Sequence, residues 1–176
     1  MNIVYVTGRY IWFFLIYSLF GAIVETIFRL ITEHQLYGIH GFLHIPIFPI
    51  YGIGALLVIA LFQHHVRHVV PLFFAGAILT TVLEFITHLL IEIVFNERIW
   101  DYSNTPFNVD GRISLYSSIG FGVAAVALVH FIHPRLNKLF DRLPNRVNVV
   151  ITVITVIVFS VLLIDTILSV IERIAN

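Results

Sequence analysis

Long apolar runs separated by short polar breaks dominate the chain. The first covers about residues 10–30. Coiled as a helix at about 1.5 Å per residue, a run of that length spans the roughly 30 Å hydrocarbon core of a bilayer. Further runs lie at about 50–62, 69–95, 113–132 and 147–171. The pattern predicts an all-α polytopic membrane bundle of about five transmembrane helices, one domain over 1–176, with two structured outer loops. The third run is long enough to tilt or protrude. The second is short, with Pro49 suited to its start and Ile47 and Phe48 available to lengthen it. His133-Pro134 is expected to end the fourth run, and a basic connector then leads to the fifth.

Two stretches break the pattern. Residues 34–52, HQLYGIHGFLHIPIFPIYG, are apolar, yet Gly38, Gly41, Pro46, Pro49 and Gly52 oppose a continuous helix. Irregular backbone at a membrane must be covered by protein or line a cavity, so this piece is expected to fold back over helix ends or re-enter shallowly. Residues 99–113, IWDYSNTPFNVDGRI, crowd Trp100, Asp101, Tyr102, Asn104, Asn108, Asp110 and Arg112 into one connection. A plain connector needs only turn formers such as Pro106 and Gly111. Two readings fit: a solvated loop with interfacial aromatics, or an ordered cap over a polar pocket between helices.

Composition decides the class. Of 176 residues, 59% are hydrophobic and 11% charged, more apolar surface than a soluble domain of this size covers. Formal net charge is zero, so a nucleic-acid partner is not indicated; the bilayer is the expected environment. Cysteine is absent, which excludes disulfides, thiolate nucleophiles and cysteine metal sites. The first run lacks a small-residue cleavage site and reads as a retained helix. With five crossings, Arg9, Arg67, Arg135, Lys138, Arg142 and Arg146 share one side, and Arg29, Arg98, Arg112 and Arg173 the other. The positive-inside rule then puts the N-terminus in the cytoplasm of a multi-pass plasma-membrane protein. Loops 31–49 and 96–112 fall outside the cell.

Ionisable groups inside the runs cost roughly 2.5–3.5 kcal/mol each on insertion scales, so they need partners in the bundle. Glu84, His88 and Glu92 recur every fourth residue, with Thr80 and Thr81 a turn earlier, forming one polar stripe. Counting turns places Glu25, Glu84, His88 and Asp165 at similar depth in the outer half. Three carboxylates in one dry space need cations: Arg29, Arg112, a protonated His88, a proton or a metal would balance them. Such a cluster reads either as packing glue or as a site for an ion, small solute or polar headgroup. Glu84 and His88 have helical ligand spacing, a weak signal on which no metal site is assigned. His64, His65, His68, His130 and His133 read as interfacial histidines. No GxSxG elbow and no Walker A sequence occur, so the chain does not itself hydrolyse ATP.

Four stretches carry a family resemblance: FGAIVETIF around Glu25, GFLHIPIFPIYGIG from Gly41, VLEFITHLL around Glu84 and WDYSNTPFNVDGRISL from Trp100. Over about residues 12–140 the chain resembles the CmpB-like family of ABC-transporter type IV permeases, small bacterial membrane proteins. The family has glycine where Ile45 stands here. The match carries over Glu25, Gly41, Pro46, Pro49, Tyr51, Gly52, Glu84, Trp100, Asp101, Tyr102, Ser103, Asn108, Gly111 and Arg112. It implies a permease working with a separate ATPase subunit or as a homo-oligomer, with no cofactor assigned. Three functions stand open. The first is a permease with an outward-facing acidic site drawn from Glu25, Glu84, His88, Trp100, Asp101, Tyr102, Asn108, Arg112 and Asp165. The second is a membrane enzyme acting on lipid or cell-envelope precursors, with Glu84 or His88 as base and Arg112 on phosphate. The third is an accessory subunit of a larger complex. On the predicted orientation, a cysteine replacing Ser103 reacts with an impermeant thiol reagent added to intact cells; labelling only after lysis reverses the topology.

Overall fold

The computed structural model describes residues 3–33 and 42–175. The first eight residues of the Gly/Pro-rich stretch, 34–41, and the side chain of Arg29 lie outside the described residues. The helices are α1 (Ile3–Glu33), α2 (Pro49–Phe62), α3 (Val69–Phe95), α4 (Leu115–Ala127), α5 (His133–Asp141) and α6 (Asn145–Ala175). A short hairpin, β1 (Asn108–Val109) with β2 (Ile113–Ser114), precedes α4. Among the described residues, four stretches are long and apolar enough to cross a membrane: Gly8–Ile27, Val69–Phe95, Leu115–Asp141 and Asn145–Ala175. Their outward residues are hydrocarbon, such as Ile78, Leu90 and Ile93 on α3 and Ile157 and Ile164 on α6. Small and polar side chains are buried instead, among them Ser18, Glu84, His88, Thr155 and Ser169. Apolar outside with polar groups inside is what a lipid solvent selects.

His133-Pro134 does not end the fourth run. α4 passes through a π-helical turn, Leu128–Ile132, straight into α5, making one rod. Proline has no N–H and its ring clashes with the carbonyl four residues back. Widening the preceding turn removes that conflict: the His133 N–H reaches back five residues to the Leu128 carbonyl. Pro134 then occupies the first turn of α5, where a missing donor costs little.

The chain divides into two compact units, residues 1–53 with 143–176, and residues 54–142. In the first, α1 and α6 run in the same direction. Gly8 lies against Thr152, and the rings of Phe14 and Phe159 are 5.8 Å apart edge to face. In the second, α3 and α4 are antiparallel: Gly76 meets Ala125, whereas Thr81 farther along α3 bonds Ser118 earlier in α4. The 14 residues of α2 reach about 21 Å, less than the roughly 30 Å hydrocarbon core of a bilayer.

Close α3–α4 approach depends on missing side chains. A Cβ on Gly76 would sit 2.3 Å from the Ala125 Cβ, and one on Gly122 would sit 2.6 Å from the Phe73 ring. Gly120, with nothing within 4 Å, is the natural control. Gly76→Ala should destabilise the protein by about 1–3 kcal/mol through overpacking, while Gly120→Ala should not. Thermal melting in detergent compares them; equal responses contradict the packing.

Candidate functional site

Residues 96–114 form an ordered cap built from the end of α3 outward. Asn96 closes α3 in a left-handed conformation, its N–H bonded to the Glu92 carbonyl. Glu92 then receives a guanidinium on each carboxylate oxygen. Arg98 binds Oε1 at 2.9 Å, and Arg112 binds Oε2 at 2.8 Å while also reaching Asp110 at 3.0 Å. Between these two arginines the chain folds back on itself. The Trp100 indole N–H donates to the Arg112 carbonyl (3.0 Å), and the Tyr102 N–H to the Gly111 carbonyl (2.8 Å). Asn108 ties the loop internally, donating to the carbonyls of Thr105 and Ser103 and accepting from the Gly111 N–H.

The hairpin turn explains the local chemistry. Asp110 and Gly111 both have positive φ, 53° and 71°, at the centre of a β-turn closed by the Arg112 N–H on the Val109 carbonyl, within a three-residue loop before Ile113. Gly111 is needed twice over, because a Cβ there would also sit 2.5 Å from Asp101 Oδ1 and Ser103 Oγ. Asp101 accepts from both the hydroxyl (2.5 Å) and the N–H (2.8 Å) of Ser103. These hydrogen bonds, the hydroxyl's first, hold its carboxyl below the ordinary aspartate value. Its contribution to the cap is therefore present above that ordinary value and lost as pH falls through the lowered one.

Under the cap lie the buried groups of the α3 stripe. Glu84, only 5% exposed, accepts from the Tyr102 hydroxyl (3.0 Å) and the Ser117 hydroxyl (3.2 Å). Ser117 also closes a reciprocal capping box with Ser114 at the start of α4. One turn along, Thr81 donates to Ser118, which donates to the Ser114 carbonyl. A line of hydroxyls thus extends from the cap along the α3–α4 seam. His88, 2% exposed, packs edge to face on Trp100 and bonds its carbonyl through Nε2 at 2.9 Å. A carbonyl can only accept, so Nε2 carries a proton, while Nδ1 lies buried 3.7 Å from the Glu92 carboxylate. Arg112 is held by two carboxylates and lies over the Phe85 ring, so its fork is already occupied.

Glu25 and Asp165 belong to the other unit. Glu25 accepts from the Tyr51 hydroxyl at 2.7 Å. Asp165 accepts the N–H groups of His44 and Ile45 and, through Oδ1, bonds His44 Nδ1 at 2.9 Å. His44 Nε2 lies 3.0 Å from Glu172, Ser169 bonds Nδ1, and Arg173 stacks on Phe42 at 4.4 Å. Residues 42–45 are thereby strapped to one face of α6. The structure thus brings Glu84, His88, Trp100, Asp101, Tyr102, Asn108 and Arg112 into one network and gives Glu25 and Asp165 neighbours of their own. Among the described residues no cluster of three or more His, Asp or Glu is arranged to hold a metal ion.

Several contributors had weak signals. Glu92 showed only as the last member of a stripe, and nothing in spacing marks it as the partner of both Arg98 and Arg112. Asp110-Gly111-Arg112 between Asn-Val and Ile-Ser is a legible hairpin turn. Ser114-x-x-Ser117 is a capping box with serine in place of the usual Glu or Gln. His44 stood out from neither composition nor period.

A family model described as "Putative ABC-transporter type IV" matches residues 12–170. The chain belongs to this family. The match takes in α1 from its third turn, all of residues 54–142 and most of α6, so cap and strap are both within the ABC-transporter type IV region. Neither a curated protein nor a solved structure matches the chain.

The strap carries a pH dependence. Hydrogen bonding to Asp165 raises the His44 value above the ordinary 6.5; desolvation opposes this, and the Glu172 charge adds to it. A raised value means the contribution is complete below 6.5 and lost as pH climbs through the folded-state value. His44→Gln should therefore lower the melting temperature most in mildly acidic buffer, with the gap to wild type closing as pH rises. A gap that widens with pH contradicts the assignment.

Proposed function

We propose that the chain is the membrane-spanning permease component of an ABC-type transport system, and that Glu84 beneath the 96–114 cap contacts the transported ion or small solute. Family membership supports the transport reading. One observation supports the site: a carboxylate 5% exposed in an apolar helix is solvated by hydroxyls, one of them Tyr102 from the cap itself. Those donors are neutral and replaceable. A solute bearing N–H, O–H or positive charge can take their place at little net cost, because one hydrogen bond is exchanged for another. Because Tyr102 is both a Glu84 ligand and part of the lid, moving the cap and freeing the carboxylate are one event. The Glu92 pairs with Arg98 and Arg112 hold the lid shut, and the Ser117, Ser118 and Thr81 hydroxyls offer successive contacts along the seam.

In this reading the cap faces outward and the N-terminus lies in the cytoplasm, with a separate ATPase supplying energy at the opposite face. The end of the rod through α5 and the basic turn beyond it are the groups available to such a partner. The occupied fork of Arg112 favours transport over the phosphate-binding enzyme alternative. Exchange flux across proteoliposomes, measured over a panel of small cations and zwitterions, tests the site. Glu84→Gln keeps the size of the side chain and removes its charge. Losing a charged hydrogen-bond acceptor should lower flux about tenfold to a hundredfold. In a Trp12→Phe background, Trp100 fluorescence should stay unchanged, showing an intact cap. Normal flux in that variant removes Glu84 from the mechanism.

A further inference from the structure

Within the unit 54–142, the first turns of α3 and the middle of the α4–α5 rod leave an open groove of about 420 Å³. Val70, Phe73 and Phe74 form one wall; Val123, Val126 and Phe131 form the other, and every lining side chain is hydrocarbon. The groove has a direction. Deep in the seam, Gly122 against Phe73 and Gly76 against Ala125 hold the helices close. Toward the helix ends, the π turn around Phe131 lies beside the groove.

The mouth of the groove is cationic. Arg135 donates to the Phe131 carbonyl at 2.8 Å, with its guanidinium carbon 5.6 Å from the centre of the Phe131 ring. His130, next to Phe131, bonds the Arg67 carbonyl at 3.2 Å, which brings the 63–68 turn to the same end. Both arginines are exposed. Residues 63–75 contain no Asp or Glu and 123–142 contain one, Asp141, against Arg67, Arg135, Lys138 and Arg142. From Val69 to Phe74 the α3 wall descends about 7 Å into the apolar layer.

We propose that this groove binds an anionic phospholipid of the bilayer, one acyl chain between the two walls and the phosphate at Arg135 with Arg67 beside it. Hydrocarbon walls running inward from a basic mouth match the polarity of such a lipid along its length. A guanidinium pairs with phosphate through two parallel hydrogen bonds, which suits arginine to this place. A helix from a second copy would fill the walls but gain nothing from the exposed guanidiniums. A zwitterionic lipid would lose the net charge attraction.

The purified chain, washed free of lipid in detergent, is offered an equimolar mixture of phosphatidylglycerol and phosphatidylcholine with matched chains. Bound lipid is read by native mass spectrometry. Phosphatidylglycerol should be retained in preference, and Arg135→Gln should cut that preference about fivefold. Removing Arg67 as well should abolish it. Val126→Trp, which fills the groove, should lose both lipids. Both arginines are exposed, so their variants should melt like wild type. Equal retention of the two lipids by the wild type, or a preference surviving the double substitution, overturns the proposal. So does a lipid-free dimer, which would assign the groove to a second copy.

Discussion

A carboxylate at the last turns of α3 determines what lies beyond it. Glu92 accepts one guanidinium from Arg98 and another from Arg112, residues separated by the whole cap. Fixing both ends of a connection to one anchor makes the intervening chain a closed loop with little conformational freedom left to lose. Everything in between then falls into reach: Trp100 over His88, Tyr102 onto Glu84, and the Asp110-Gly111 turn behind them. Arginine suits this task because it stays charged at any relevant pH and offers several donors in a fixed plane. The cap is therefore held by ionic pairs at its base and by neutral hydrogen bonds at its centre. The centre is the part that can be exchanged for a solute.

The bilayer imposes the complementary constraint. Apolar burial gives no drive between helices already solvated by lipid, so α3 and α4 associate through close contact at Gly76, Gly122 and Ala125. That closeness lets Ser117 and Ser118 on α4 reach Glu84 and Thr81 on α3. Packing and polar network are thus one arrangement: widening the seam would strand hydroxyls and a carboxylate away from their partners. The π turn serves the same seam differently. It passes Pro134 without breaking the rod and leaves Phe131 projecting beside the groove.

The helical framework was legible because each crossing must be a long apolar run, and lipid permits few alternatives. Boundaries at α2 and α3 follow Pro49 and the polar turn 63–68 closely. The error at His133-Pro134 came from treating proline as a terminator, when a π turn can absorb it; no residue pattern separates the two cases. The polar stripe of α3 was readable from its four-residue period, and Glu84 and His88 are indeed its buried members. What periodicity could not supply was partner identity. Equal depth suggested that Glu25, Glu84 and Asp165 face a common space, yet depth fixes only one coordinate. The rotation of each helix about its axis sets the others. In the structure Glu25 turns to Tyr51 and Asp165 to the strap at 42–45.

The two units solve one problem with different chemistry. Each must hold a non-helical segment against a helix, where backbone groups left unpaired on burial are costly. In the 54–142 unit the anchor pairs Glu92 with arginines, whose charge does not titrate. In the other, Asp165 takes two backbone N–H groups directly and the His44 ring as a third donor, with Glu172 on the ring's far side. Both ring nitrogens meet carboxylates, and a carboxylate only accepts, so the strap is strongest with the imidazole doubly protonated. The cap's cations stay charged throughout, whereas the hold on residues 42–45 follows the proton on His44. That segment leads directly into Pro49 at the start of α2, so the proton on His44 sets how firmly the approach to this helix is held.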